Sequence, residues 1–182
     1  MKIPQLNLYE IILGLSEALD LVSPTLANHH KRVAYISMRI AKQLGLSKDI
    51  QEQLVLTGAI HDIGGLSVSD RIHLLDFEYK NVNEHAEVGY LLIKDFQPLE
   101  SITDAVRYHH IPWQAGQGLT FEDNLVPIEA HITHLADRIA ILVPESNQVL
   151  EAVPQVREKI EKSRDSIFAP DQVDAFLELA ET

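Results

Sequence analysis

The chain passes from an apolar helix into a His-Asp pair and two glycines in the run Leu54-Val55-Leu56-Thr57-Gly58-Ala59-Ile60-His61-Asp62-Ile63-Gly64-Gly65. Ser47 predicts the N-cap of this helix, and Gly64-Gly65 predicts its end. A histidine beside an aspartate at a helix terminus can place an imidazole and a carboxylate on one cation. The dipeptide alone is a weak signal, because a surface cap explains it more simply, so its meaning depends on the rest of the chain.

Apolar residues on both sides of this run recur with a helical period. Ile12, Leu15, Leu19 and Val22 form one stripe, and Val33, Ile36, Ile40 and Leu44 form another. Steps of three and four place residues on one helix face. No segment shows sustained two-residue alternation. The sequence therefore predicts an all-α bundle of roughly eight or nine helices.

Glycine, serine and proline mark the expected helix boundaries. Ser23-Pro24 predicts the start of the second helix, and Gly45 predicts its end. Pro127 is expected to open a long helix through Asp137, which Pro144 interrupts. Residues 113–126 are rich in glycine and polar residues and are predicted to form a loop.

The composition fits one globular domain without disulfides. The chain has 182 residues, of which 46% are hydrophobic and 23% charged, and none is cysteine. Domains commonly have about 100–200 residues. We expect residues 1–182 to form a single domain, with 145–182 as a C-terminal helical extension. Any metal must be held by histidine, carboxylate or water.

The charge argues against polyanionic partners. The formal net charge is -12, and the 15 lysines and arginines are dispersed. Such a chain repels nucleic-acid polymers and anionic membranes, whereas bound metal would allow a small phosphorylated ligand. No apolar run approaches the ~20 residues of a membrane span. The start, Met1–Pro4, does not resemble a signal peptide, so a cytoplasmic location is expected.

Several histidines and aspartates lie on or beside different predicted helices. These residues are His29, His61, Asp62, His85, His109, His110 and Asp137. A helical bundle can bring such side chains together around metal ions. Imidazole and carboxylate donors suit Fe, Mn or Zn rather than a thiolate site. Asp62 is the natural candidate for a carboxylate that bridges two cations.

The order and spacing of these residues resemble the HD-GYP branch of the HD metal-dependent phosphohydrolase superfamily. The resemblance rests on five runs: His29-His30-Lys31-Arg32-Val33, Gly58–Gly64, Glu84–Gly89, Tyr108-His109-His110 and Ile128–Asp137. It covers roughly residues 10–142 and implies a helical HD domain that binds two or three metals and hydrolyses cyclic di-GMP.

Carried over residue by residue, the resemblance implies two metal sites. His29, His61, Asp62 and Asp137 would hold one cation, and Asp62, His85, His109 and His110 the other. Fe or Mn is favoured, with Zn as an alternative. His61 and Asp62 would also be the catalytic residues. Thr25 occupies the position of a glutamate that holds a third metal in some members, so two metals are predicted.

The chain differs from the branch on the substrate side. Gly65 stands where the motif has a lysine, and Ile111-Pro112-Trp113 follows the paired histidines without the Gly-Tyr-Pro turn. Trp113 could stack a substrate base or anchor a loop in the core, and the sequence favours neither.

Other histidines have simpler interpretations. His30 is expected to be exposed or to support a ligand, and His73 to be solvated or capping. His134 is expected to pack, with support of a ligand as the alternative.

Two functions remain open. The first is a phosphodiesterase that uses two metals to act on a cyclic dinucleotide or related nucleotide. The alternative is a catalytically degenerate signalling domain acting through protein partners, which the missing lysine favours. A homodimer is compatible with both.

Overall fold

The structure, a computed structural model, describes residues 7–21, 27–67, 83–144 and 149–180. These residues form eight α-helices: α1 Leu8–Asp20, α2 His29–Gln43, α3 Lys48–Ile60, α4 Asn83–Ile93, α5 Thr103–Tyr108, α6 Ile128–Leu142, α7 Val149–Lys162 and α8 Pro170–Leu179. Two 3-10 helices, Gln97–Ile102 and Gln114–Leu119, and two short strands complete them. The all-α prediction is confirmed.

Most helix boundaries follow the expected local signals. The Ser47 hydroxyl accepts the Ile50 N–H at 3.3 Å and caps α3. Gly45 ends α2 with a φ of 70°, which glycine adopts without steric cost. Pro127 directly precedes α6. These boundaries were predictable because each depends on one residue and its neighbours.

The start of α2 differs from the prediction. The helix begins at His29, after Asn28 in a left-handed conformation with a φ of 58°. The expected cap at Ser23-Pro24 lies outside the described residues, as do Thr25 and His73.

Residues 113–126 are more ordered than the predicted loop. After the 3-10 helix, β1 (Thr120–Phe121) pairs with β2 (Asn124–Leu125) as an antiparallel hairpin. Its two turn residues, Glu122 and Asp123, both have positive φ, as a type I′ hairpin turn requires. Strands of two residues are too short to produce a recognisable alternation in sequence.

The largest apolar core joins α2, α3 and α6 to the C-terminal helices. Its buried members include Ile40, Leu54, Ile132, Ile160 and Phe168. A second core contains Ile12, Ile60, Ile93, Ile102 and Val106, and joins α1 and α3 to α4 and α5. Helix α3 contributes to both cores, so its C-terminal end lies where the two layers meet.

Two glycines allow unusually close approaches at that end. A Cβ on Gly58 would lie 2.6 Å from Cα of Ala34 in α2. A Cβ on Gly64 would overlap the carbonyl oxygen of His85 in α4. Backbone contacts of this kind cannot be relieved by a side-chain rotation. The glycines therefore set how closely His61 and Asp62 approach α2 and α4.

Of the helices in the described ranges, none combines the length and the apolar character needed to cross a membrane.

We expect Gly64→Ala to destabilise the fold by at least about 1–3 kcal/mol, because the new methyl group meets backbone atoms. Gly14→Ala is the matched control: Gly14 lies in α1 with open space around its Cα, and alanine there should stabilise the helix by about 0.5–1 kcal/mol. Urea unfolding of both variants measures the difference. Equal stability of the two would show that the close approach does not constrain this junction.

Candidate metal centre

The predicted ligands converge because four helix ends meet. His61 and Asp62 follow the last residue of α3, and His109 and His110 follow the last residue of α5. His29 begins α2, while His85 lies in the first turn of α4 and Asp137 within α6. All seven side chains are buried. The structure thus brings together every residue that the sequence singled out as a ligand.

Three of these residues form a first cluster, defined by His29, His61 and Asp137. Nε2 of His29 lies 3.2 Å from Oδ1 of Asp137, and Nε2 of His61 lies 3.7 Å from the same oxygen. One candidate donor atom from each residue lies within 4.8 Å of the other two. The group offers two imidazoles and one carboxylate to a single point.

The other four residues form a second cluster, defined by Asp62, His85, His109 and His110. Nε2 of His85 lies 3.0 Å from Oδ1 of Asp62, and Nε2 of His109 lies 3.5 Å from it. The rings of His109 and His110 have centroids 4.0 Å apart. Three imidazoles and a carboxylate therefore face one another in a buried space.

Asp62 connects the two clusters through its two oxygens. Oδ2 lies 3.3 Å from Nε2 of His61 in the first cluster, whereas Oδ1 faces His85 and His109 in the second. A carboxylate with one oxygen toward each group has the arrangement required of a bridging ligand.

Helix-end carbonyls determine which ring nitrogen faces the centre. Nδ1 of His61 lies 3.0 Å from the Gly58 carbonyl oxygen, and Nδ1 of His109 lies 2.6 Å from that of Val106. A carbonyl only accepts hydrogen bonds, so each Nδ1 is the donor. Nε2 then points to the clusters. Histidine ligands of metals usually donate their other ring N–H to a carbonyl or carboxylate in this way.

The donor atoms lack the partners that buried polar groups normally have. Across the described part of the chain, Nε2 of His61, Oδ1 of Asp62 and Nε2 of His110 make no hydrogen bond, although nitrogen and oxygen atoms approach within ion-pair distance. Leaving such atoms buried and unpaired is unfavourable. Cations at the two clusters would satisfy them. The chain therefore has buried His/Asp clusters able to hold metal ions.

Electrostatics prepares the carboxylates for this role. Burial opposes ionisation of Asp62, but His61, His109 and His85 outweigh it and hold the pKa of Asp62 well below its usual range. Burial acts likewise on Asp137, and Arg138, His29 and His61 hold its pKa well below the usual range. Both carboxylates are ionised at neutral pH, as metal binding requires.

The pKa values of three cluster histidines are shifted, and not all in the same direction. Burial lowers the pKa of His109 and, with nearby histidines, holds the pKa of His110 well below its usual range. Burial also disfavours the charged form of His61, but the carboxylates of Asp62 and Asp137 prevail and raise its pKa to about 10. In the metal-free protein His61 thus carries a proton that a cation would have to displace.

Two further histidines, His30 and His134, are buried beside the clusters. His134 packs its ring against His110 and Phe168, with both centroid distances 5.4 Å; burial, reinforced by the charge of Arg138, lowers its pKa to about 3. This is the packed position that the sequence favoured. His30 is 1% exposed, so of its two expected positions the exposed one is wrong.

Trp113 is held by the C-terminal segment. Its indole Nε1 donates to Oδ1 of Asp165 at 3.1 Å, and its backbone N–H donates to the Ile167 carbonyl. Its ring makes an edge contact with His131 at 5.5 Å. These contacts are those of a loop anchor, one of the two roles that the sequence left open.

A sequence model of the HD domain family matches residues 26–142, more than half of the chain. The chain belongs to the HD domain family. The matched residues include all seven candidate ligands of the two clusters.

Curated relatives of this HD domain agree with the HD-GYP-like branch. The chain is 30% identical over 174 residues to 3'3'-cGAMP-specific phosphodiesterase 1 of Vibrio cholerae, covering 92% of this chain and 40% of that protein. It is 26% identical over 181 residues to a cyclic di-GMP phosphodiesterase of Thermotoga maritima, covering 93% and 48%. The cyclic di-GMP phosphodiesterase response regulator RpfG of Xanthomonas campestris is 25% identical over 160 residues, covering 81% and 41%. This HD domain spans less than half the length of each.

Two residues that contact side chains of the metal centre or its surroundings were not predicted from the sequence. Arg138 is 3% exposed, and its Nε and Nη2 donate to Oδ2 of Asp137 at 2.9 and 2.6 Å. It holds Asp137 with Oδ1 toward the first cluster. Its place directly after a candidate ligand was a usable signal. Asp20, which contacts His30, lies in a different helix and gives no comparable signal.

Metal binding at pH 7 is expected to release about one proton per chain, because His61 must lose its proton to ligate a cation. As pH falls from about 10, the apparent affinity should weaken by up to about tenfold per pH unit from this proton alone. Calorimetric titration with Zn²⁺ in Pipes and in Tris, whose ionisation enthalpies differ, measures the release. Identical heats in both buffers would contradict the raised pKa of His61.

Proposed function

We propose that this HD domain is a metal-dependent phosphodiesterase that hydrolyses a cyclic dinucleotide or related nucleotide, with two divalent cations per chain. The observation that carries the proposal is the pair of buried clusters joined by Asp62. Relatives named as cyclic dinucleotide phosphodiesterases support the substrate class. Their identities of 26–30% leave the choice between cyclic di-GMP and cGAMP to experiment; we favour cyclic di-GMP.

The two clusters divide the proposed ligands between them. His29, His61 and Asp137 would hold one cation together with Oδ2 of Asp62. Oδ1 of Asp62 would hold the other with His85, His109 and His110. Two divalent cations at such a site supply Lewis acidity and activate water for attack on phosphorus. Nitrogen and oxygen donors without thiolate favour Fe or Mn, with Zn as an alternative.

The protein's own contribution is positioning and charge. Asp62, the proposed bridging residue, keeps the two sites in register, and His61 gives up its Nε2 proton as the centre assembles. Arg138 restrains Asp137 through Oδ2. These roles need no nucleophilic side chain, which suits a chain without cysteine.

A substrate contact is proposed at Trp113, whereas position 65 lacks the lysine that would face the phosphate. Trp113 directly follows the segment that carries His109 and His110, and its indole is held in place by Asp165. An aromatic ring held in this way can stack on a base. Gly65 brings no charge to the phosphate, so in this chain the cations must neutralise most of it.

A signalling domain without catalysis is the second candidate, favoured by Gly65 and by the absence of the Gly-Tyr-Pro turn. In that case the clusters would bind metal without hydrolysing a substrate. A protein partner or a second copy of the chain would bind the domain and transmit the signal. Metal content does not separate the two candidates, but hydrolysis does.

We also propose that residues 1–182 act as one domain. The family match ends at residue 142, but Val156, Ile160, Phe168 and Val173 lie in the same buried cluster as Ile40 and Leu54.

Asp62→Ala is expected to reduce metal content below one cation per chain and to abolish hydrolysis of cyclic di-GMP, because the shared carboxylate is lost. Asp95→Ala is the matched control and should retain both, because Asp95 is an exposed aspartate two residues after α4. Elemental analysis after anaerobic loading with Fe²⁺ or Mn²⁺, followed by a hydrolysis assay, measures the two effects. An Asp62→Ala protein with two cations and full activity would overturn the assignment.

Gly65→Lys is expected to increase hydrolysis of cyclic di-GMP, because a lysine here would place a positive charge near the phosphate. The comparison is kcat/KM of the variant and of the unchanged protein at equal metal content. No gain would indicate that a different nucleotide is the substrate.

A further inference from the structure

A buried carboxylate–imidazole pair lies next to the metal centre without belonging to either cluster. Asp20 ends α1, His30 is the second residue of α2, and Oδ1 of Asp20 lies 2.5 Å from Nδ1 of His30. His30 is 1% exposed and Asp20 7%. The pair is therefore part of the protein interior.

The carboxylate determines the polarity of the imidazole. An ionised carboxylate only accepts hydrogen bonds, so Nδ1 of a neutral His30 carries the proton and Nε2 carries a lone pair. That Nε2 is buried and has no hydrogen-bond partner in the ranges that the structure describes. Leaving a buried acceptor unpaired is unfavourable. The unpaired Nε2 of His30 therefore indicates that a further hydrogen-bond donor binds there.

The ring of His30 lies against the first cluster. Its centroid is 5.3 Å from the ring of His29 and 5.2 Å from that of His61. His30 is not among the residues whose donor atoms lie within 4.8 Å of one another. It is thus close enough to reach the centre through one small molecule, but is not placed as a fourth ligand of the same cation. A bridging water commonly spans such a gap.

We propose that the Asp20–His30 pair adds a hydrogen-bond acceptor to the metal centre, and that Nε2 of His30 orients a water molecule beside the cation site formed by His29, His61 and Asp137. This inference rests on the two-metal function proposed above. Asp20 is a positioning residue, because its carboxylate sets the tautomer and the rotation of the ring. Mutation of hydrogen-bonding residues around a metal site typically costs about 10–100-fold in metal affinity or activity.

A pair with only a structural role would need only one ring nitrogen of His30. If Asp20 and His30 served only to tie α1 to α2, Nδ1 of His30 would suffice and Nε2 could be removed without effect. Substitution of His30 by asparagine or by glutamine separates the role of Nδ1 from that of Nε2. An asparagine amide can place a donor near the Nδ1 position, and a glutamine amide can place a polar atom near the Nε2 position.

The first test compares His30→Asn with His30→Gln. Thermal unfolding establishes that each variant is folded, elemental analysis gives its zinc content, and cyclic di-GMP hydrolysis at varied substrate concentration gives kcat and KM. We expect His30→Asn to retain two zinc ions and KM, and to lower kcat by roughly 10–100-fold. His30→Gln should recover part of the loss. A folded His30→Asn protein with unchanged kcat would overturn the inference.

The second test requires no activity. In protein with ¹⁵N-labelled histidine, NMR should show the Nδ1–H tautomer of His30 before and after addition of Zn²⁺, and zinc should shift the Nε2 signal. Zinc uptake with an unmoved Nε2 signal would overturn this inference alone. If the unchanged protein took up none of zinc, iron or manganese, the proposed function and this inference would both fail. If it bound zinc but did not hydrolyse cyclic di-GMP, the NMR result would still decide the role of His30.

Discussion

The sharing of Asp62 between two groups of buried imidazoles is the constraint on which the rest of this HD domain depends. Its oxygens must face His61 on one side and His85 and His109 on the other. This requires the ends of α3, α4 and α5 to meet within a few ångströms. The close backbone contacts of Gly58 and Gly64 provide that proximity, and the two apolar cores hold the helices there.

Charge balance explains how such a site can exist before metal arrives. Two ionised carboxylates, Asp62 and Asp137, lie opposite the imidazolium of His61 and the guanidinium of Arg138. These four charges sum to zero. Two divalent cations, together with loss of the His61 proton, would make the same groups strongly positive. In a chain with a formal net charge of -12, this local positive charge would favour binding of the phosphodiester substrate proposed above.

The parts of the fold and site that were predictable from sequence are those that depend on local patterns or on spacing. Helical periodicity predicted the all-α class, and single residues such as Ser47 and Gly45 predicted helix ends. The candidate ligands were predictable because each lies in a short motif, and all but Asp137 lie at or next to a helix end. The burial of His30 against Asp20 and the tether of Trp113 to Asp165 were not predictable, because each joins segments whose relative position only tertiary packing determines. The hairpin after residue 119 was missed because its strands are too short to show a period.

Hydrogen bonds join the loop after His109 and His110 to the C-terminal segment. These bonds bear on how much of the chain folds as one unit. Backbone N–H groups of Trp113, Gln114 and Ala115 donate in succession to the carbonyls of Ile167, Ser166 and Asp165, and Phe168 closes over His134. A fragment cut at the end of the family match would keep all seven candidate ligands. It would also lose Phe168, which covers His134. The loop that follows His109 and His110 would lose its hydrogen bonds to residues 165–167. The unit that we propose to fold cooperatively therefore extends beyond the family match, which ends at residue 142.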